Sequence, residues 1–170
     1  MESNTMESNE REKYPTPFGV SGLGGWLIFI QIGMFLAIWQ TIDSLSKGMQ
    51  LINSEDWKLL ITETSVRYHA LWEPLVSFKL LYSFLYLLFI AIILILFYQK
   101  KAILPRLMII LFSVATAYSF IELILTYQIP SVQQSENNIM IREFIRSLAF
   151  CAIWIPYFLK SERVENTFVR

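Results

Sequence analysis

The sequence predicts an all-α, polytopic membrane protein: a bundle of four transmembrane helices with a short amphipathic helix in the first outer loop. Apolar and aromatic residues make up 55% of the 170 residues and charged residues only 16%. A soluble domain of this length could not bury that much apolar surface. Four apolar segments each have the ~20 residues that a helix needs to cross the hydrocarbon core. None of them shows the polar–apolar alternation of a membrane β-barrel strand.

The chain begins with a polar segment, residues 1–17, whose composition predicts a disordered cytoplasmic tail. Residues 18–168 then form a single membrane domain. Its first span covers about residues 23–42. We expect this span to be retained, because no small-residue cleavage site of a signal peptide follows it.

The first outer loop, residues 43–74, is too long for a simple turn and contains a helical pattern. Ser54 is a residue type that caps helix N-termini. The apolar residues after it share one face and the charged residues point elsewhere, which predicts a short amphipathic helix on the outer membrane surface. The apolar face consists of Trp57, Leu60, Ile61 and Thr64.

Three further spans follow, at about residues 75–98, 106–127 and 140–159. Pro74 precedes the second span, where a missing backbone N–H costs no hydrogen bond. Pro156 lies near the end of the fourth span, and it should kink the last turn or end the regular helix early.

The distribution of lysine and arginine predicts the orientation, since cytoplasmic loops are enriched in these residues. Eight basic residues lie in the two terminal segments and the tight second loop, against six on the other side, so both termini are expected in the cytoplasm. The eight are Arg11, Lys13, Lys100, Lys101, Arg106, Lys160, Arg163 and Arg170.

Charged residues inside the spans are costly, so they usually face the bundle interior and have a partner. Lys79, Glu122 and Arg146 each lie roughly 6–9 Å below the outer boundary, counting ~1.5 Å of rise per residue. We expect Glu122 to bridge Lys79 and Arg146 in a crevice open to the outer side. The surplus positive charge would be increased by Arg142, one turn before Arg146.

Polar residues extend this layer along two helices. On the second span Lys79, Tyr82, Ser83 and Tyr86 fall at the spacing of one helical face. On the third span Ser119 shares a face with Glu122, among small residues that favour close packing. The layer has two interpretations. It either fixes which helix packs against which and lets the cations reach the membrane surface, or it binds an anion or anionic lipid.

Two motifs flank the membrane domain. The first is Gly22-Leu23-Gly24-Gly25-Trp26-Leu27, before and into the first span. The second runs from Trp154 to Phe168 and includes Ser161, Glu162, Arg163, Thr167 and Phe168. We expect the segment 161–168 to fold back against the glycines and form a cytoplasmic docking surface.

In these two motifs the chain resembles the YdgK-like family, a domain-of-unknown-function group of small bacterial inner-membrane proteins. The resemblance covers about residues 18–168, although Glu165 stands where the family pattern has lysine. It implies a bacterial inner-membrane location and four spans. It implies no catalytic residues and no substrate.

The composition also bears on function. The net charge is zero, so a nucleic-acid-binding surface is not expected. Cys151 and His69 are the only cysteine and histidine, which excludes a disulfide framework, a thiolate metal site or a histidine-rich metal or haem centre within one protomer. No cofactor is predicted, and the motifs of serine hydrolases, zinc proteases and P-loop enzymes are absent from the sequence.

The sequence therefore favours a non-enzymatic scaffold or accessory protein. The lipid bilayer is its environment, and its partner is either another membrane protein or a second copy of the chain. The alternative is binding or transport of an anionic lipid or solute at the charged layer. An intramembrane enzyme using Tyr82, Tyr86 and Glu122 as acid–base groups ranks third, because nothing specifies a reaction.

Overall fold

A computed structural model describes residues 22–129 and 137–169, and within these ranges every regular element is a helix. The predicted all-α class is confirmed. The predicted tail, residues 1–17, lies outside the described residues. In chain order the helices are α1 (Trp26–Ile52), α2 (Glu55–Ile61), α3 (Trp72–Tyr98), α4 (Leu104–Tyr127), α5 (Asn137–Lys160) and α6 (Glu162–Thr167).

Three of the long helices, α1, α3 and α4, are long and apolar enough to cross a membrane. Helix α5 has the same length as α4, 24 residues. It is less apolar, because Arg142, Glu143 and Arg146 all lie in its first half.

Helix α1 is longer than the predicted span, which ended at residue 42. It continues to Ile52, so the predicted outer loop begins as helix. The polar residues in this extension are compatible with a helix because Lys47 pairs with Asp43 one turn earlier, at 2.6 Å. Helix α5 likewise continues four residues beyond Pro156, to Lys160, so the proline does not end it early.

Helix α2 begins where the sequence predicts a helix in the first loop. The Ser54 side chain accepts a hydrogen bond from the backbone N–H of Trp57, at 3.3 Å. Trp57 and Leu60 are half-buried, whereas Leu59 and Ile61 are exposed. The division into an apolar and a polar face is therefore less sharp than the pattern predicted.

The four long helices run antiparallel to their chain neighbours, and the packing is closest between α4 and α5, followed by α1 with α3 and α3 with α4. We call the end of the bundle that carries Gly22–Gly25 and α6 the motif end, and the opposite end, with Lys79 and Glu122, the charged end. The main hydrophobic core lies toward the motif end. It comprises Leu27, Ile30, Met34, Ile90, Ile93, Phe97, Leu104, Met108, Leu111, Phe158, Val164 and Phe168.

Hydroxyl and thiol groups connect α4 to α5. The Ser119 and Ser147 hydroxyls are 2.9 Å apart, and the Thr116 hydroxyl is 2.9 Å from the sulfur of Cys151. These small side chains let the two backbones approach closely, as at many helix interfaces in membranes. Ser119, on the predicted close-packing face of the third span, therefore contacts α5.

Candidate functional site

A crevice of about 780 Å³ lies between α1, α3, α4 and α5. Its lining on α4 extends from Met108 to Leu123, which at 1.5 Å of rise per residue is a length of roughly 22 Å. Near the motif end the walls are apolar, with Met34, Ile90 and Met108 among them. Near the charged end the walls carry ionised and hydroxyl side chains. The crevice is thus amphipathic along its length.

The predicted pair of Lys79 and Glu122 is present at the charged end. The Lys79 ammonium lies 3.0 Å from the Glu122 carboxylate and joins α3 to α4. The Glu122 side chain is 21% exposed and that of Lys79 is 42% exposed, so the carboxylate is the more enclosed partner. The Tyr118 hydroxyl, one turn earlier on α4, also interacts with Glu122.

The predicted bridge from Glu122 to Arg146 was wrong. Arg146 pairs with Glu143, three residues earlier on α5, and both side chains line the crevice. A partner on the same helix needs no reach across the crevice, which is why it replaces Glu122. The spacing of Glu143 and Arg146 was readable from the sequence, but Glu143 was not among the predicted site residues.

This second pair also corrects the expected surplus of positive charge. The charged residues that line the crevice, among those the structure describes, are Lys79, Arg146, Glu122 and Glu143, so two cations face two carboxylates. Arg142 is exposed and does not line the crevice.

The predicted polar stripe lies on the crevice wall. Tyr82, Ser83 and Tyr86 of α3 and Ser119 of α4 all line it. The ring of Tyr82 stacks on that of Tyr118, with centroids 3.5 Å apart and planes 4° from parallel. Tyr118 was missed in the sequence, although it lies four residues before Glu122 and therefore on the same helical face.

The two terminal motifs meet at the motif end. The Thr167 hydroxyl accepts a hydrogen bond from the backbone N–H of Gly22, at 2.9 Å, and lies 3.4 Å from the Gly22 carbonyl oxygen. The Arg163 guanidinium lies so close to Gly24 and Gly25 that a Cβ on either glycine would be 3.0–3.2 Å from it. The segment 161–168 therefore folds back onto the glycines, in the arrangement that the sequence predicted.

Other residues of the two motifs have different environments. Phe168 is buried, with its ring 5.6 Å from that of Phe97. Trp26 is 62% exposed and contacts Trp154 edge-on. Ser161 precedes α6 without a capping hydrogen bond from its side chain. Glu162 is exposed. The contact between the two motifs thus depends on Arg163 and Thr167, while Phe168 packs against α3.

No group of three or more histidine, cysteine, aspartate or glutamate side chains in residues 22–129 and 137–169 is placed to hold a metal ion.

A family model described as "Protein of unknown function (DUF2569)" matches residues 20–169. No curated protein and no solved structure matches the chain.

Proposed function

Because the chain belongs to the DUF2569 family, whose function is unknown, we propose a function from its own geometry: it is a membrane protein that binds an amphiphilic lipid in the crevice between α1, α3, α4 and α5. The observation that carries this proposal is the crevice itself, with ion pairs at one end and apolar walls at the other. A polar headgroup fits the first part and an acyl chain the second, since ligand sites combine apolar lining with a few placed polar groups.

The proposal includes four spans, with α5 as the fourth. Residues 147–159 of α5 contain no charged side chain. Glu143 and Arg146 are compatible with a span because they pair and line the crevice. Arg142 is exposed near the start of α5, where a long side chain can reach the membrane surface. With four spans both ends of the chain lie on one side, and Lys100, Lys101 and Arg106 assign that side to the cytoplasm.

The same topology assigns the charged end to the outer side, with α2 near the outer membrane surface. We further propose the location suggested by the YdgK-like resemblance, a bacterial inner membrane. Entry of a lipid would take place from the bilayer between α1 and α5. These two helices make no extensive contact with each other in the described part of the chain, and their ring contact between Trp26 and Trp154 lies at the motif end.

The crevice reverses the order of the two functions favoured by the sequence. A scaffold or accessory protein does not require an amphipathic cavity between its helices, whereas a lipid-binding protein does. Co-purification of a stoichiometric protein partner, with no lipid retained, would restore the scaffold hypothesis.

Filling the crevice tests the proposal. Gly33 lines it, and a Cβ built at this residue has no atom within 4 Å. Gly33→Phe should therefore fold and occupy space needed by the acyl chain. We expect the purified variant to retain much less phospholipid than the wild type, measured by native mass spectrometry from mild detergent.

Ala152→Phe provides the matched control, because Ala152 is exposed on α5 and does not line the crevice. It adds the same bulk to the lipid-facing surface and should retain lipid like the wild type. Equal retention by both variants, or no retained lipid in the wild type, would contradict the proposed function.

A further inference from the structure

We infer that the lipid bound in the crevice has a zwitterionic headgroup with a phosphate and a primary ammonium, the chemistry of phosphatidylethanolamine. This inference rests on the proposed function and specifies the ligand class of the same site. It starts from the two ion pairs at the charged end, Lys79 with Glu122 and Arg146 with Glu143.

The first step is the charge balance. All four side chains line one crevice, and they are the charged residues of its described lining. The α1 residues that line the same end, Gln40, Thr41 and Ser44, are polar but uncharged. Among the residues that the structure describes, no lining side chain adds a third positive or a third negative charge. The described lining of the crevice therefore has no net charge, with two positive and two negative side chains at the charged end.

The second step compares headgroups. A purely anionic headgroup would pair with Lys79 and Arg146 and leave Glu122 and Glu143 next to its own negative charge, which is unfavourable because like charges repel. A purely cationic headgroup would pair with the two carboxylates and leave Lys79 and Arg146 next to its own positive charge. A headgroup with both charges can exchange the existing pairs for new ones, with phosphate on the cations and ammonium on the carboxylates, and leave no charge unpaired.

The third step concerns the ammonium. A primary ammonium has three N–H donors, and carboxylates accept them as charge-assisted hydrogen bonds. A quaternary ammonium has no donor. The Glu122 carboxylate is the more enclosed acceptor, at 21% exposure, so the site should favour phosphatidylethanolamine over phosphatidylcholine as well as over phosphatidylglycerol.

The test uses the full chain in mixed micelles that contain phosphatidylethanolamine, phosphatidylcholine and phosphatidylglycerol in equal amounts with identical acyl chains. Native mass spectrometry measures which lipid is retained. We expect a preference of about tenfold for phosphatidylethanolamine over phosphatidylglycerol, as one charge-assisted hydrogen bond is worth roughly that factor.

A paired variant tests the role of the carboxylates. Glu122→Gln combined with Glu143→Gln removes both negative charges from the crevice and should move the preference to phosphatidylglycerol. Glu55→Gln combined with Glu63→Gln removes two exposed carboxylates outside the crevice and should leave the preference unchanged.

The outcomes separate this inference from the function on which it rests. If the wild type retains lipid that Gly33→Phe displaces, but prefers phosphatidylcholine, phosphatidylglycerol or none of the three headgroups, the headgroup inference is wrong and the proposed function stands. If the wild type retains no lipid, both are wrong. Because the wild-type preference decides the question by itself, a carboxylate variant that fails to fold does not prevent the test.

Discussion

Gly25 shows how one residue determines the entry of the chain into α1. Its φ of 60° and ψ of −134° lie in a region that residues with a Cβ rarely adopt, and the Arg163 side chain covers the place where a Cβ would stand. Gly24 lies beside the same arginine without a positive φ. A substitution at Gly24 therefore measures the cost of steric contact with Arg163 alone, whereas the same substitution at Gly25 adds the cost of backbone strain.

We expect Gly25→Ala to lower the free energy of unfolding by about 1–3 kcal/mol, the cost of a strained backbone conformation. Gly24→Ala should cost less, because its Cβ meets only the flexible end of Arg163, 3.2 Å away. Reversible unfolding in mixed micelles measures both. Arg163→Ala should reduce the effect of either substitution, and strictly additive losses would show that the arginine does not contact the glycines in the folded protein.

The charged side chains show what could be predicted of the site at this scale. Lys79 and Glu122 were predicted to pair because opposite charges at the same depth in two apolar helices have few other partners. The prediction of Glu122 as the partner of Arg146 was wrong, because the depth of a residue along its helix does not distinguish a partner across the crevice from Glu143 on the same helix. The stacking of Tyr82 on Tyr118 depends on helix rotation, which periodicity does not determine.

At the scale of elements, α6 stabilises the motif end although it has only six residues. A helix this short is not stable alone, so its structure depends on the buried side chains Val164, Thr167 and Phe168. Phe168 has the largest of these three side chains and contacts Phe97 of α3. The helix therefore connects the end of α5 to both α1 and α3.

Phe168→Ala should lower the free energy of unfolding by about 3 kcal/mol or more, the usual cost of deleting a buried phenylalanine side chain. Val169→Ala is the control at the next residue, because Val169 is 65% exposed and its truncation should change stability by less than about 0.5 kcal/mol. Thermal unfolding in detergent compares the two. Equal stabilities would mean that α6 is detached from the bundle in solution.

The elements themselves were predicted to different extents. Long apolar segments and prolines located α3 and α4 to within three residues of their structural starts, since these signals act locally. The extension of α1 to Ile52 was missed, because Asp43 and Lys47 read as the end of a span when their mutual ion pair is not considered. A crevice beside Lys79 and Glu122 was predicted, but its apolar extension toward the motif end was not, because that depends on how far apart α1 and α5 pack.

For the whole molecule, the topology makes a prediction about sidedness that also tests α5 as a span. In a background with Cys151→Ser, single cysteines at Glu63, Ala102 and Glu165 report on three exposed positions of the chain. With four spans, a membrane-impermeant maleimide should label Glu63→Cys in intact cells, and should label Ala102→Cys and Glu165→Cys only after permeabilisation.

Labelling of both Glu63→Cys and Glu165→Cys in intact cells, with Ala102→Cys protected, would contradict four spans, since a chain with only α1, α3 and α4 in the membrane leaves Glu165 on the same outer side as Glu63. Ala102→Cys then serves as the internal control for cell integrity. Reversal of all three results would keep the four spans and invert the orientation.

The hydrogen bond between Gly22 and Thr167 joins residues 145 positions apart. During biosynthesis a ribosome must therefore translate all four long helices before the entrance of α1 acquires this partner. A nascent chain that has inserted α1, α3 and α4 lacks Val164 and Phe168 from its core. Products truncated by a premature stop codon after α5 would insert into the membrane without the contacts of α6 at the motif end. We expect membrane proteases to recognise these products by the apolar side chains exposed at that end.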